Sequence, residues 1–210
     1  MESFDQYEGF ILYKTKLIGR KHGSLTITDL HDYATVFLNG KYIGKLDRRE
    51  GERTIDIPQS EVKDPVLEIF VEGMGRINFA QELIDRKGIT DRVTLNGITL
   101  MNWEVYNLPF DSDYIQGIDK TIPSSERRGY IFKGEFELNR VADTYLDMSN
   151  YNKGIVFING KNLGRYWEIG PQKRLYCPAP WLKKGKNEIV VYDLHQTEAK
   201  SIAGFKSLYQ

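Results

Sequence analysis

The 210-residue sequence has little of the chemistry that marks most metal and nucleophile sites. It contains one cysteine, Cys177, so an internal disulfide and a two-cysteine metal motif are both excluded. The three histidines, His22, His31 and His195, are too scattered to predict a ligand cluster, and the motifs G-x-S-x-G and H-E-x-x-H do not occur. We therefore expect no metal ion and no cofactor, and we expect Cys177 to be a buried, small apolar residue.

Charge and hydropathy argue against two classes of partner. The 29 basic residues balance 29 acidic ones and form no basic stripe, so binding to a nucleic-acid backbone is not expected. No apolar run approaches the roughly 18 residues that a membrane-spanning helix needs, and the first residues contain no signal-like apolar segment. We predict neither nucleic-acid binding nor insertion into a membrane.

Long amphipathic helices are missing as well, because no segment keeps an apolar period of 3.6 residues. Short runs rich in β-branched and aromatic residues instead follow one another at a spacing of roughly ten residues. Glycine, proline, asparagine and aspartate mark the turns between them. This pattern predicts an all-β fold of antiparallel sandwiches or jelly rolls.

An internal repeat is centred on two Asn-Gly hairpins. The run VFLNGKYIGK at residues 36–45 returns as VFINGKNLGR at residues 156–165. Asn-Gly suits a type I′ turn, whose two central residues both need a positive φ. Three further blocks match in the same order, at or close to the same offset of 120 residues: 9–12 with 129–132, 53–58 with 174–178, and 68–71 with 188–191. The repeat predicts two copies of one domain.

The repeat and the turn signals divide the chain. We assign residues 1–110 to a first β-sandwich domain and residues 129–210 to a second. Residues 111–128 are rich in Asp, Ser, Gly and Pro, and we interpret them as a linker or a long loop laid across both domains. After Glu72 the first copy carries a glycine-rich extension that the second copy lacks at that point. A third Asn-Gly hairpin is expected at residues 96–97.

The residues that follow the second hairpin contain the best candidate for sugar binding. Tyr166 and Trp167 are expected on an exit loop, where an aromatic platform would lie, and Glu168 has an aromatic neighbour that can raise the pKa of its carboxyl group. The alternative is that both rings pack inside the protein and that Glu168 faces solvent. No pair of carboxylates is singled out for glycoside hydrolysis, and oxygen ligands for calcium at residues 29–32 or 111–113 are permissible but not specific.

Longer motifs resemble one enzyme family. Residues 159–172 (NGKNLGRYWEIGPQ) followed by 175–182 (LYCPAPWL) resemble the C-terminal signature of glycoside hydrolase family 35 β-galactosidases. Residues 7–15 (YEGFILYKT) resemble the segment that follows the catalytic barrel of those enzymes. Their next block is similar to residues 75–79 (GRINF) and 85–89 (DRKGI), so the resemblance covers nearly the whole chain.

The resemblance implies two tandem galactose-binding-like jelly rolls from a retaining enzyme that hydrolyses terminal non-reducing β-D-galactose residues. The catalytic glutamates of the family lie in a (β/α)₈ barrel of about 250 residues, which this chain cannot contain. No catalytic residue can therefore be assigned here, and we expect the chain alone to be inactive. A parent enzyme that degrades polysaccharides is expected in the periplasm or secreted, Met1 is expected to be a boundary rather than a natural start, and the compartment of this chain stays open.

Three roles remain open at this point. The domains support the missing barrel, they form an autonomous binding module for galactosides, or they are an unrelated adhesion or scaffold pair. The supporting role predicts an exposed apolar patch where the barrel is absent. It also predicts that four residues lie at the barrel or interdomain interface: Arg76, Asn78, Trp103 and Trp181. The binding role predicts a galactoside groove at Tyr166, Trp167 and Glu168.

Overall fold

The structure, a computed structural model, describes residues 1–118 and 126–209. It divides into two compact units, unit 1 (Met1–Phe110) and unit 2 (Asp111–Gln210). Residues 119–125, which belong to the expected linker, lie outside the described residues. Among the described residues, no helix is long and apolar enough to cross a membrane.

Unit 1 consists of eleven strands with short connections. In chain order they are β1 (Phe10–Lys16), β2 (Gly23–Ile27), β3 (Leu30–His31), β4 (Tyr33–Leu38), β5 (Lys41–Asp47), β6 (Thr54–Ile57), β7 (Val66–Glu72), β8 (Gly88–Ile89), β9 (Val93–Leu95), β10 (Ile98–Thr99) and β11 (Glu104–Leu108). Single 3₁₀ turns lie at Glu2–Phe4, Arg48–Glu50 and Gln81–Leu83.

The strands of unit 1 form an antiparallel sandwich. One sheet has the order β11-β1-β7-β4-β5, the other has the order β10-β9-β2-β6, and β3 pairs with β8. Side chains from both larger sheets meet in one core, in which Ile11, Val36 and Ile69 pack with Leu25 and Leu95. Alternation of apolar and polar residues along each strand places these side chains on the inner faces.

Unit 2 begins with a helix, α1 (Ser112–Gly117), and then repeats the sandwich. Its strands are β12 (Tyr130–Leu138), β13 (Thr144–Asp147), β14 (Lys153–Ile158), β15 (Lys161–Trp167), β16 (Arg174–Cys177), β17 (Gly185–Asp193) and β18 (Ala203–Phe205), with a 3₁₀ turn at Ala179–Trp181. The sheet orders are β12-β17-β14-β15 and β16-β13-β18. The prediction of two all-β antiparallel sandwiches is confirmed.

The predicted hairpins are confirmed in detail. Asn39, Asn96 and Asn159 have φ values of 51°, 50° and 48°, and the glycine after each also has a positive φ. The asparagine side chain has a second role, because Asn39 Oδ1 accepts from the Val66 N–H at 2.8 Å and Asn159 Oδ1 accepts from the Glu188 N–H at 3.0 Å. The turns at Asn39 and Asn159 are thereby tied to an inner strand of their sheets, β7 and β17.

The constant offset of the repeat is wrong for the last strand. Val36 pairs with Ile69 and Val156 pairs with Val191, so the equivalent of Ile69 is Val191 and not Ile189. A shift of two residues leaves the same side chains facing the core, because the period of a strand is two. The sequence match could not detect it for that reason.

Three local expectations have clear outcomes. The sequence of residues 202–209 predicts a returning edge strand, and Ala203–Phe205 pairs with β13 at the edge of its sheet. Cys177 is buried as predicted, and burial together with the nearby Asp143 carboxylate raises the pKa of its thiol to about 11. The expected linker begins with α1, because the Asp111 side chain accepts from the Tyr114 N–H and Ile115 is buried.

Candidate functional site

A cluster of charged side chains is buried at one end of unit 1, where the extension after β7 folds back along residues 73–87. Lys87 is 2% exposed. Its ammonium group donates to Asp32 Oδ2 and Asp85 Oδ2, both at 2.7 Å, and to the Gly75 carbonyl at 3.1 Å. A lysine this deeply buried is stable only when its charge is paired.

Two further side chains complete what we call the Lys87 cluster: Asp32, Asp85, Lys87, Arg48 and His31. The Arg48 guanidinium donates to Asp32 Oδ1 at 2.7 Å and to Asp85 Oδ1 at 2.9 Å. His31 Nδ1 lies 2.9 Å from Asp85 Oδ1. All four carboxylate oxygens of the two aspartates are therefore within hydrogen-bond reach of a positively charged group.

The cluster holds Asp85 in its ionised form. Burial by itself raises the pKa of this carboxyl group, but hydrogen bonds from Lys87, His31, Arg48 and the Ile77 N–H outweigh burial and lower the pKa well below its usual range. The two aspartates also raise the pKa of Arg48 against the opposing effect of its burial. At neutral pH the Asp85 carboxylate and the Arg48 guanidinium are therefore both charged.

The donor set of His31, Asp32 and Asp85 does not fit a metal ion. Its ligand atoms lie within 4.8 Å of one another, as they would in a metal site. The Lys87 ammonium and the Arg48 guanidinium already hold both carboxylates, and a divalent cation would have to displace both groups. We interpret the group as a structural ion cluster.

The cluster fixes the extension through its backbone. The Met74 N–H donates to Asp32 Oδ2 at 2.7 Å, and the Ile77 N–H donates to Asp85 Oδ2 at 3.1 Å. Together with the bond from Lys87 to the Gly75 carbonyl, these contacts hold residues 74–77 against unit 1. The loop is anchored by charge, because few of its own side chains are buried.

Arg76 joins the extension to the first residues of the chain. Its guanidinium donates to the Asp85 carbonyl and to the Tyr7 carbonyl, both at 2.8 Å, and lies 2.6 Å from Glu2 Oε1. Burial alone would raise the pKa of Glu2, but its hydrogen bonds, including that from Arg76, lower it to about 2. Arg76 therefore links the two segments to each other.

Large apolar side chains are exposed on both joined segments. Exposed apolar side chains that lie close together are a feature of interaction sites, so these two loops are a candidate docking surface. We call this set the apolar loop surface, and its members, 36 to 84% exposed, are Phe4, Tyr7, Ile77, Phe79, Leu83 and Ile84.

The four residues predicted at an interface lie in different settings. Arg76 and Asn78 belong to the extension and adjoin the apolar loop surface. Trp103 is half-buried, packs against the core of unit 1 and meets the Tyr13 ring edge-on at 6.3 Å between ring centroids. Trp181 is half-buried in unit 2, with the Lys161 ammonium 5.5 Å from the centroid of its ring. The interface role of all four stays a prediction.

The predicted loop position of Tyr166 and Trp167 is wrong, because both belong to β15. Alternation along that strand turns Tyr166 inward, and its ring is 3% exposed. Its hydroxyl group contacts Asp193 Oδ2 at 2.9 Å and the Tyr192 carbonyl at 3.0 Å, and burial, followed by the Asp193 charge, raises the pKa of Tyr166 well above its usual range. A buried ring offers no platform to a sugar.

Trp167 and Glu168 lie closer to the surface. Trp167 is half-buried, with the Lys153 ammonium 3.9 Å from the centroid of its ring. Glu168 is exposed, and its Oε2 accepts from the Asn152 amide at 2.8 Å. Their role in carbohydrate binding stays a prediction.

The buried positions of Lys87 in unit 1 and Asp193 in unit 2 were not predicted from the sequence. Asp193 is 0% exposed and accepts from four backbone N–H groups, those of residues 152, 153, 195 and 196, besides its contact with Tyr166. The signal for Asp193 was an acidic residue directly after the apolar run 189–192. Lys87 gave no such signal, because Lys-Gly is typical of an exposed turn.

Comparisons with known proteins cover both units. The family model for the first all-beta domain of beta-galactosidase matches residues 1–109, and the model for the galactose-binding domain of beta-galactosidase matches residues 130–187. Beta-galactosidase-1-like protein 2 of Homo sapiens is 37% identical over 191 residues, which are 88% of this chain and 29% of that protein. A beta-galactosidase of Xanthomonas manihotis is 36% identical over 180 residues, 84% of this chain and 29% of that protein.

The chain thus spans less than a third of the length of these relatives. Among solved structures, the apo form of Pleurotus ostreatus lectin covers 90% of this chain and 68% of its own, with 10% identity and a TM-score of 0.32, a likeness too weak to support an argument. The family models and the two relatives agree with one another. The chain belongs to the β-galactosidase family, of which it carries the first all-β domain and the galactose-binding domain.

Proposed function

We propose that this chain supports the catalytic barrel of a family 35 β-galactosidase and takes no direct part in the chemistry. The parent enzyme hydrolyses terminal non-reducing β-D-galactose residues, and its barrel supplies the catalytic glutamates. The observation that carries the proposal is the apolar loop surface, which is exposed and yet anchored by buried charges.

Anchoring matters because a docking loop that is already ordered loses less conformational entropy on binding. Taking the charges of Asp32, Asp85 and Lys87 out of water costs several kcal/mol for each ion, and their mutual attraction offsets that cost only when the geometry is good. An apolar core would be simpler if stability alone were required. The cluster is better explained as a device that holds the extension in one conformation.

The size of the relatives supports a large partner. More than two thirds of each relative lies outside the matched region, which leaves room for a (β/α)₈ barrel of about 250 residues. The apolar side chains of the extension, Phe79 and Ile84 above all, would be buried against it, each contributing about 1.5 to 3 kcal/mol if fully covered.

The proposal is tested by titrating the catalytic barrel of a family member, expressed without its β-domains, with this chain. We expect calorimetry to show binding, and we expect a chromogenic β-galactoside assay to show no turnover by the chain alone. Phe79→Ser and Ile84→Ser should weaken binding. Ile18→Ser is the matched control, because Ile18 is 79% exposed in unit 1 but lies outside the apolar loop surface.

Two results would contradict the support role. One is turnover by the chain without a barrel. The other is that the Phe79→Ser and Ile84→Ser variants bind the barrel as strongly as the Ile18→Ser control. The contact with the barrel would then lie elsewhere.

A second candidate function is the binding of galactosides by unit 2, and the match of residues 130–187 to a galactose-binding domain favours it. Trp167 and Glu168 lie within that match and are the side chains we propose for such a site. Calorimetric titration with galactose and lactose distinguishes the two functions. Saturable heat that disappears in Trp167→Ala supports binding, whereas absence of heat at millimolar sugar excludes it.

A further inference from the structure

The two units differ at one edge of their larger sheets. In unit 1, β11 pairs antiparallel with the outer side of β1, from Phe10 opposite Leu108 to Lys14 opposite Glu104. In unit 2 the equivalent of β1 is β12, and no described strand pairs with its outer side. Nine residues of β12 therefore form the edge of a sheet that unit 1 continues by one more strand.

In the described part of unit 2, the corresponding side of the sandwich is open. In unit 1, Val105 of β11 and the preceding Trp103 pack against the core and close that side. In unit 2 a groove of about 500 Å³ lies beside β12. Its lining is largely apolar and includes Phe132, Phe136, Leu146, Ile202 and Phe205. Edge strands beside open apolar surface are ready templates for pairing with another chain.

The sequence of β12, YIFKGEFEL, is complementary to itself in the antiparallel direction. A twofold axis at Gly134 places Lys133 of one copy opposite Glu135 of the other, and by symmetry the same pair forms twice. Residues 133–135 are exposed, and the pairing would replace the long contact of 3.4 Å between the Lys133 ammonium and the Ile118 carbonyl. On the groove side, Phe132 then lies opposite Phe136 of the second copy. Opposite charges and paired aromatic rings are both favourable cross-strand neighbours.

We propose that two copies of this chain associate through β12, antiparallel about Gly134, so that their four-stranded sheets become one continuous sheet. The strand of the second copy takes the place that β11 has in unit 1. Its groove-side residues, Phe132 and Phe136, cover the open side of the neighbouring sandwich. The interface is isologous, because each copy offers the same strand.

Charge variants test the register directly. Sedimentation equilibrium of the 210-residue chain should show a monomer–dimer equilibrium. In a dimer of either single variant, Lys133→Glu or Glu135→Lys, residues 133 and 135 carry like charges at both symmetry-related contacts. Each variant should therefore raise the dimer Kd about tenfold or more. The double variant K133E/E135K restores the opposite charges and should dimerise like the wild type. An equimolar mixture of the two single variants should form a mixed dimer for the same reason.

Glu137→Lys is the matched control. It changes the net charge as much as Glu135→Lys does, but position 137 lies opposite Ile131 of the second copy, so the Kd should stay near that of the wild type. Glu135 also lies 2.7 Å from Lys186 of the same copy, an exposed pair that contributes little to folding, and circular dichroism confirms that each variant is folded. A wild-type chain that stays monomeric at about 1 mM overturns the proposal, and so does a dimer whose Kd the two single variants leave unchanged.

Discussion

At one corner of the sandwich, the hydrogen-bond donor and acceptor side chains occupy exchanged positions in the two units. In unit 1 the residue before β4 is Asp32 and the residue after β5 is Arg48; the Arg48 N–H donates to the Asp32 carbonyl at 3.0 Å, and its guanidinium donates to the Asp32 carboxylate at 2.7 Å. In unit 2 the equivalent residues are Asn152 and Glu168. The Glu168 N–H donates to the Asn152 carbonyl at 2.6 Å, and the Asn152 amide donates to the Glu168 carboxylate at 2.8 Å.

The backbone contact is therefore kept while donor and acceptor side chains change places. The reason lies in the chain that follows the central strand. Residues 73–92 separate β7 from β9 in unit 1, but only residues 194–202 separate β17 from β18 in unit 2. The longer segment brings Asp85 and Lys87 to Asp32, whereas in unit 2 the buried acid, Asp193, is satisfied mostly by backbone N–H groups. The Lys87 cluster thus lies where the longer of the two segments is held.

Removal of Lys87 is expected to have the largest effect on this difference. Lys87→Met removes one of the two cations that Asp32 and Asp85 share and leaves only Arg48 to pair with both buried carboxylates, so the free energy of unfolding of unit 1 should fall by about 3 to 5 kcal/mol. Amide hydrogen exchange at increasing urea concentration measures the free energy of unfolding of each unit separately. Lys14→Met is the control, since Lys14 is half-exposed and should contribute no more than about 1 kcal/mol. A loss of less than about 1 kcal/mol for Lys87→Met would show that the cluster does not hold unit 1 together.

Acid should weaken the cluster by protonating Asp85. The pKa of Asp85 is lowered in the folded state, so its contribution is complete above the unfolded pKa of about 3.9 and is lost as the pH falls below it, by up to about 1.4 kcal/mol per pH unit. The difference in unfolding free energy between wild type and Asp85→Asn should thus be constant near neutral pH and shrink below about pH 4. Asn150→Ala in unit 2 removes an amide that donates to the Ser201 carbonyl, and because neither group titrates, this variant should show no such acid-dependent step. A difference that stays constant down to about pH 2 would contradict the lowered pKa.

The buried acid of unit 2 should tolerate the loss of a partner better. Tyr166→Phe removes one contact of Asp193 but leaves its four backbone N–H donors, so we expect the free energy of unfolding of unit 2 to fall by about 1 to 3 kcal/mol. Tyr209→Phe, at a side chain that is 80% exposed, should change it by less than about 0.5 kcal/mol. A loss as large as that of Lys87→Met would remove the distinction between the two units.

The features that were predicted from the sequence are those that neighbouring residues determine. The Asn-Gly turns, the alternating strands and the burial of Cys177 each follow from a few adjacent residues, and all three are present in the structure. The two-residue shift of the last strand was hidden because it conserves the inward face. Tyr166 was placed on a loop because the turn signals of residues 168–172 stand directly after it.

The Lys87 cluster was not predictable in the same way. Its members come from three separate segments, at residues 31–32, 48 and 85–87, and no local pattern relates them. In the sequence, Asp85 and Lys87 are typical of an exposed charged turn. Only the fold shows that both are buried against residues 74–77. The resemblance to family 35 enzymes marked residues 85–89 as a block, but a sequence block does not show that its charges are buried.

The smallest effect on stability is expected at the apolar loop surface, and it sharpens the comparison most. Phe79 is 81% exposed, whereas Phe10 in the same unit is 0% exposed. Phe79→Ser should change the free energy of unfolding of unit 1 by less than about 0.5 kcal/mol, while Phe10→Ala should cost about 3 to 5 kcal/mol; both are measured by hydrogen exchange in urea. A large loss for Phe79→Ser would mean that its ring belongs to the core of unit 1. A negligible loss means that a large apolar ring is held in solvent by a costly ion cluster without stabilising its own unit, which is expected of a surface that serves a partner.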